Sequence, residues 1–314
     1  MSASSRLASW IWRQSWLPLR WKKNAYKKLD AQGEAPDAPF TMNFYGLDYR
    51  GNLNNGIEFA MYFYGAFEKP LLYFLRDCLT SLSDAEPGDT VYFDVGANIG
   101  QHALFMSRVA TQVHAFEPYA PVSAQLEAHL ELNRIGNVRL HKLGLGDADG
   151  TLPFYAPSGS NTGVGSFDAA SQERGNTPAG ELRIARGDAY LEDLELPRLD
   201  LMKIDVEGFE RKALAGLRET LKRFRPVLVI EVSYGQPLSF TDQDQFLKHL
   251  PADYQVFTFD TRKADGSTAR RRGARAKRTG AYRLLALQGW RDRDQDDLVA
   301  IPKEKLAIVP TSNR

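Results

Sequence analysis

The stretch that most constrains this chain is Val91-Tyr92-Phe93-Asp94-Val95-Gly96-Ala97-Asn98-Ile99-Gly100. A β-branched and aromatic segment passes through two glycines into His102 to Val109, where the apolar spacing turns helical. Strand, glycine turn and helix in that order form the opening unit of a doubly wound α/β sheet, and ligands of such sheets sit at the turn. Gly96 and Gly100 carry no side chain to block approach to the backbone, and the helix after them presents free N–H groups at its start. The spacing is G-x-x-x-G, not the G-x-G-x-x-G of a dinucleotide loop, and Asp94 stands just ahead of it. A carboxylate there repels a phosphate and suits a ligand that carries an amino group. S-adenosylmethionine, with an ammonium, a sulfonium and no phosphate, is such a ligand.

The next strand, Thr111 to Phe116, ends in Glu117-Pro118. An acid at that place accepts from both ribose hydroxyls, and charged hydrogen bonds of this kind contribute ~1.5–3 kcal/mol each. A NAD site also has a ribose acid about 20 residues on, but the missing middle glycine and the added Asp94 count against it. A second stretch, Leu199 to Glu210, is a buried strand ending in acids and leading into a helix at Arg211 to Leu221. It brings Asp205 and Glu207 to the edge that holds Asp94 and Glu117, and the strand Pro226 to Glu231 brings Glu231 to the same rim. Carboxylates gathered from four strand ends raise one another's pKa unless a cation offsets them; a sulfonium, a substrate amine or a metal would serve. Glu207 and Glu210 read equally well as surface acids at a helix N-terminus. The third strand, Val138 to His141, exits through Leu143 to Asp147, where adenine lies in such a sheet. There the backbone at Leu145 and the Asp147 carboxylate are placed to meet the base, although Asp147 to Gly150 also reads as a plain turn.

With 314 residues and 43% hydrophobic content, the chain can bury a large core, and its formal charge of +1 gives no global field for nucleic acid. A single cysteine, Cys78, excludes an internal disulfide framework and a cysteine zinc cluster and fits a reducing, cytoplasmic setting. No run reaches the length of a membrane span. Residues 1–39 form a basic, tryptophan-rich segment and linker: Trp10, Trp12, Trp16 and Trp21 lie among Arg6, Arg13, Arg20, Lys22, Lys23, Lys27 and Lys28, with no acid before Asp30. On a helical projection Leu7, Ala8, Ile11, Trp12, Trp16 and Leu19 oppose the arginines, so residues 6–28 read either as a peripheral contact with the inner face of an anionic membrane or as a helix packed on the domain. Residues 40–87 read as an N-terminal cap with a hairpin and helices at Ile57 to Phe67 and Pro70 to Leu82; its Tyr64-Gly65-Ala66-Phe67-Glu68 segment is placed to lie over the ligand, with Glu68 as the acid. Residues 88–310 are the catalytic domain. Residues 156 to 181 read as a long loop. Lys263, Arg270, Arg271, Arg272, Arg275, Lys277, Arg278 and Arg283 read as a basic loop between two antiparallel edge strands, Tyr254 to Phe259 and Asp297 to Ile301.

DVGANIG at 94 to 100, FEP at 116 to 118, KIDVEGFE at 203 to 210, VIE at 229 to 231 and GDAYL at 187 to 191 together resemble the FkbM family of S-adenosylmethionine-dependent methyltransferases. The resemblance spans about residues 68 to 301. It implies a Rossmann-like sheet, mostly parallel with an antiparallel edge strand and helices on both faces. It also implies O-methylation of a sugar, glycan or other small acceptor. The donor-binding set is then Glu68, Asp94, Gly96, Asn98, Gly100, Glu117, Leu145, Asp147 and Asp205. Asp205, Glu231 and His102 are the candidate bases for the acceptor hydroxyl, and a divalent metal on Asp205 and Glu231 would ease deprotonation. The basic run suits a phosphate-bearing acceptor. An RNA methyltransferase is the rival reading, ranked well below a small acceptor for want of an RNA-binding module, and a non-catalytic binding module that keeps the fold is the other.

Overall fold

The computed structural model describes residues 2–157, 165–235, 238–262, 267 and 269–313. The chain begins with α1 (Ala3–Arg13) and α2 (Leu19–Asp30), then the hairpin β1 (Pro39–Phe44) and β2 (Leu47–Asn52), α3 (Gly56–Tyr64) and α4 (Lys69–Ala85). The glycine-turn unit follows as β3 (Val91–Val95) and α5 (Gln101–Met106), then β4 (Gln112–Phe116), α6 (Ala120–Leu132) and β5 (Val138–His141). Next come β6 (Gly144–Gly146), β7 (Gly150–Pro157), β8 (Asn176–Arg186), α7 (Gly187–Glu192), β9 (Leu201–Ile204), α8 (Glu210–Gly216), α9 (Arg218–Phe224) and β10 (Val227–Ser233). The last elements are α10 (Gln243–Leu247), β11 (Tyr254–Phe259), α11 (Arg270–Thr279), β12 (Leu284–Ala286) and β13 (Gln295–Pro302).

Eight strands form the main sheet in the order β12-β11-β13-β10-β9-β3-β4-β5. The run from β10 to β5 is parallel, while β13 lies antiparallel between β10 and β11 and β12 pairs antiparallel with β11. Period-two alternation splits the core between two faces. Val91, Phe93 and Val95 of β3 point into one apolar cluster with helices α7 to α10, and Tyr92 points into the other, with α4, α5 and α6. Helix α4 therefore shares a core with the sheet, since Leu71, Leu72, Phe74, Leu75, Cys78, Leu79 and Leu82 are all buried against it. Strand order reverses between β3 and β9, because β3, β4 and β5 step one way across the sheet and β9 and β10 the other. That reversal opens a crevice at the carboxyl ends of the strands.

Several elements differ from the reading of the sequence, each for a local reason. The helix expected to reach Phe67 stops at Tyr64, where Gly65 takes a left-handed conformation with φ +87°. The helix expected at Arg211 to Leu221 breaks into α8 and α9 because Gly216 packs on β6, and a Cβ there would stand 1.7 Å from the Gly146 carbonyl oxygen. The supposed long loop at 156 to 181 is largely ordered. β7 runs to Pro157, a 3₁₀ turn covers Ala169–Arg174, and β8 begins at Asn176, with β6 and β7 flanking β8 in a separate three-stranded sheet. Residues 158–164 of that stretch lie outside the described residues, as does Lys263. The remainder of the basic run is not a loop: residues Arg270–Thr279 are helix α11, ended by left-handed Gly280, consistent with the high helix propensity of Arg, Ala and Lys. The N-terminal segment is two helices broken at Pro18, with Ala8, Ala25 and Leu29 between them and Trp12 against Tyr26 at 4.9 Å between ring centres. No described helix is long and apolar enough to cross a membrane.

Candidate active site

The crevice holds a cavity of about 440 Å³, within the range of small-molecule sites. Eight residues singled out in the sequence line it: Glu68, Gly96, Asn98, His102, Glu117, Asp205, Glu207 and Glu231. Each comes from a chain end that the sheet delivers to one rim, namely the turns after β3, β4 and β9, the strand β10, and the segment before α4.

Glu117 is the most firmly fixed acid. Its Oε2 accepts from the Asn98 amide at 2.9 Å and its Oε1 from the Tyr119 amide at 2.9 Å, so the carboxylate is held in one orientation with lone pairs to spare. Burial pushes its pKa up to about 7, against the two amides that favour the charge. Beside it stand Pro118, Tyr119, Phe154 and Phe167, with ring centres 5.0 Å apart for Tyr119 and Phe154 and 5.5 Å for Phe154 and Phe167.

Across the cavity lies a charged cluster. Lys203 of β9 is 2% exposed and donates to Asp205 Oδ2 at 2.8 Å, with Asp94 Oδ1 4.0 Å away. Burial lowers the lysine's pKa, but Asp205, Asp94 and Glu68 overcome that and raise it, so the group is an ammonium. Oxygens of Asp205, Glu207 and Glu231 lie within 4.8 Å of one another. Burial and then the neighbouring acids push Glu207 up to about 8 and Glu231 well above the usual carboxylate range. Glu231 Oε2 accepts from Gln295 Nε2 at 3.1 Å, and the same amide donates to Ser233 at 2.9 Å. Glu68 is raised by burial and then by Asp297 and Asp205. His102 Nε2, 3.9 Å from Glu68 Oε2, has no hydrogen-bond partner, and burial holds its pKa well below the ordinary value, so the ring is neutral. Gln101 ties the Glu68 segment to α5 by accepting from the Phe67 amide at 2.6 Å and donating to its carbonyl at 3.1 Å.

Four residues of the expected set do not line this cavity. Asp94 is fully buried behind Lys203, and neither oxygen makes a well-formed hydrogen bond; burial raises its pKa to about 6. It sits 4.0 Å from the buried ammonium and raises that group's pKa. Gly100 is required by packing, since a Cβ would stand 2.2 Å from Leu126 Cδ1. Gly96 does reach the cavity, but its φ of +81° and the 1.8 Å from its would-be Cβ to the Asp205 carbonyl oxygen show that the contact between the turn and β9 demands the glycine. Leu145 is buried in the core, and Asp147 faces outward with Lys212 Nζ at 3.9 Å. β6 turns away into the small sheet before either can reach the crevice. Glu207 and Glu210, which the sequence also allowed as surface acids, are neither: Glu207 lines the cavity, and buried Glu210 accepts from the Gly208 amide at 2.9 Å and the Val206 amide at 3.2 Å.

The sequence reading gave no role to Lys203, Gln101, Gln295 or the aromatic pair Phe154 and Phe167. Lys203 left a signal, a lysine inside an apolar strand that no loop explains. The aromatics left none, because β7 and the segment after it fold over the site from a stretch without clear periodicity.

Residues 94–256, just over half of the chain, match the family model described as the Methyltransferase FkbM domain. Among curated proteins, the chain is 32% identical over 148 residues to "Methyltransferase 1" of Beauveria bassiana, covering 42% of this chain and 59% of that one. It is 30% identical over 154 residues to the hexuronic acid methyltransferase AglP of Haloferax volcanii, covering 49% and 61%. The chain thus spans about three fifths of the length of these relatives. Among solved structures, methyltransferase FkbM from Methylobacillus flagellatus aligns with a TM-score of 0.39 at 19% identity, over 68% of this chain and 43% of that one.

Proposed function

We propose, from the premise that this chain belongs to the FkbM methyltransferase family, that it transfers a methyl group from S-adenosylmethionine to a hydroxyl of a sugar, glycan or other small acceptor. The observation that carries this reading is a cavity lined both by an amide-anchored acid, Glu117, and by a cluster of carboxylates. Carboxylates pushed above their ordinary pKa are costly unless a cation joins them, and a ligand bearing an ammonium and a sulfonium supplies one. The donor would be held by Glu117 at its ribose hydroxyls, by Tyr119, Phe154 and Phe167 along the adenine, and by Asp205 and the Gly96 to Asn98 turn at its amino acid end. When bound, it supplies a methyl group made electrophilic by the positive sulfur.

The protein's part is to position and to move one proton. Holding acceptor and donor together accounts for ~7–11 kcal/mol of barrier lowering in favourable cases. We assign the proton of the acceptor hydroxyl to Glu231. An ordinary carboxylate is too weak a base for an alcohol, and burial beside Asp205 and Glu207 strengthens this one. Gln295 orients it from one side. His102, neutral and with its free nitrogen toward Glu68, is the weaker base and serves to position that wall. Lys203 donates to Asp205 Oδ2 at 2.8 Å and so fixes the position of that carboxylate in the wall of the cavity.

Incubation with methyl-labelled S-adenosylmethionine and a panel of sugars, uronic acids and polyketides tests the reading. Label is expected on an acceptor oxygen. Binding of the donor with transfer only to nitrogen or to RNA would contradict the O-methyltransferase assignment, and a chain that binds no donor would be a non-catalytic relative.

A further inference from the structure

Four lysines from three distant elements converge on Tyr64, the last residue of α3. Lys23 Nζ of α2 lies 4.9 Å from the centre of the Tyr64 ring and Lys277 Nζ of α11 lies 4.7 Å from it. Lys69 Nζ, from the start of α4, donates to the Tyr64 carbonyl at 3.0 Å, and Lys27 Nζ stands 5.5 Å from the ring centre of neighbouring Phe59. Among the described residues, none of the four has a carboxylate partner within ion-pair distance. The crowding is felt: burial, and then Lys27 and Lys23, lower the pKa of Lys277, and although burial raises that of Tyr64, the surrounding ammonium groups bring it below its ordinary value.

Lys69 and Lys277 also line a second cavity, of about 390 Å³, which shares Phe67, Glu68, Glu231 and Gln295 with the first. The two spaces therefore meet at the proposed base, one leading to Glu117 and the other, which Asp296 and Asp297 also line, to Lys69 and Lys277. We propose that the second cavity takes the acceptor, with its hydroxyl at Glu231 and a phosphate or diphosphate group held by Lys23, Lys27, Lys69 and Lys277. This deepens the methyl-transfer reading and rests on it. A phosphate suits the site because it offers several oxygens around a charge near −2, which separate ammonium point charges can share without a fixed fork geometry.

Calorimetric titration of the full chain with inorganic pyrophosphate at low salt, alongside S-adenosylmethionine, tests the proposal. Lys23→Ala and Lys277→Ala should each weaken pyrophosphate binding about tenfold, the loss expected for one charged hydrogen bond, while donor affinity stays unchanged. Retained donor binding also shows that the variants are folded, and Lys277→Arg should keep most of the pyrophosphate affinity. Donor binding without pyrophosphate binding, or pyrophosphate binding that ignores these substitutions, overturns the subsite and leaves the donor reading intact. A chain that binds no donor fails the reading on which it rests. A parallel arm with phosphatidylserine vesicles separates the sources: binding of the headgroup surface with none of soluble pyrophosphate also overturns it.

A different observation concerns the N-terminal helices. Leu7, Trp10, Trp16, Leu19 and Trp21 are 45–71% exposed, and they account for five of the seven large apolar side chains exposed among the described residues. All but Leu7 fall in the last turn of α1, the connection, or the first turn of α2, with Arg13, Arg20 and Lys22 among them. Tryptophan and cations together, with no acid before Asp30, complement an anionic headgroup layer. We infer that this tip docks on an anionic lipid surface. In co-sedimentation, wild type should follow phosphatidylserine-containing vesicles and not pure phosphatidylcholine, and Trp10→Ser with Trp16→Ser should reduce binding about tenfold or more, since two buried aromatic contacts are lost. Equal sedimentation of variant and wild type overturns the inference. So does a wild-type dimer in ultracentrifugation that the same variant dissolves, because the face would then be covered by a second copy.

Discussion

At the scale of single residues, the site is defined by how a few polar groups are held. Glu117 accepts from two amides, so Glu117→Gln, which turns an NH₂ toward one of them, should weaken donor binding through the lost charge and one lost hydrogen bond. Glu117→Ala should weaken it by ~1.5–3 kcal/mol, read by calorimetry. Glu231→Gln should lower kcat by roughly 10²–10⁴-fold, the usual contribution of a general base, with donor affinity retained; loss of donor binding with kcat intact would instead make Glu231 a binding residue. Among the described residues Lys203 alone pairs with buried Asp94 and part-buried Asp205, and Lys203→Met should cost about 3–5 kcal/mol by leaving them unpaired, measured as a fall in unfolding free energy. The account needs no divalent ion, since an ammonium already pairs with Asp205. Activity should survive EDTA, whereas loss that Mg²⁺ restores would make Asp205, Glu207 and Glu231 a metal site.

At the scale of elements, two glycines in helices make opposite predictions. Gly216 ends α8 against β6 with no room for a Cβ, while Gly273 in α11 has open space around it. Gly216→Ala should therefore destabilise by about 3 kcal/mol or more through overpacking, and Gly273→Ala should stabilise by ~0.4–1 kcal/mol, both seen in thermal unfolding. The same contrast explains what was legible beforehand. Apolar strands bounded by glycine and acid, such as β3, β9 and β10, announce themselves because burial on both faces demands an unbroken apolar run. The rim acids were legible as strand-end residues for the same reason. Gly96 lines the cavity as the sequence suggests, whereas the space beside Gly100 is filled by Leu126, because sequence shows that a side chain is missing and not what fills the space. The break at Gly216, the turning away of β6 with Leu145 and Asp147, and the cover formed by Phe154 and Phe167 depend on contacts between segments far apart in the chain, and no local period encodes them.

At the scale of the whole molecule, the site is a store of unfavourable electrostatics. Asp94, Glu117, Glu207, Glu210 and Asp297 are pushed up to about 6, 7, 8, 7 and 7, in every case chiefly by burial. The folded protein then holds protons that the unfolded chain releases in the ordinary carboxylate range. Stability is thus fully present at low pH and declines as pH rises through these folded values. Without donor, the melting temperature should fall from about pH 4 to about pH 8 and level off above that, and saturating S-adenosylmethionine should flatten the slope by supplying positive charge. Catalysis should run the other way, rising with pH as Glu231, held well above the ordinary carboxylate range by burial and then by Asp205 and Glu207, loses its proton.

Calorimetry of S-adenosylmethionine binding to the wild-type chain and to Glu117→Ala tests the central claim most directly, because it reads the donor site without any acceptor. The account predicts one donor per chain and an affinity about tenfold or more weaker in the variant. Equal affinity in the two proteins, or no binding to the wild type, would contradict it.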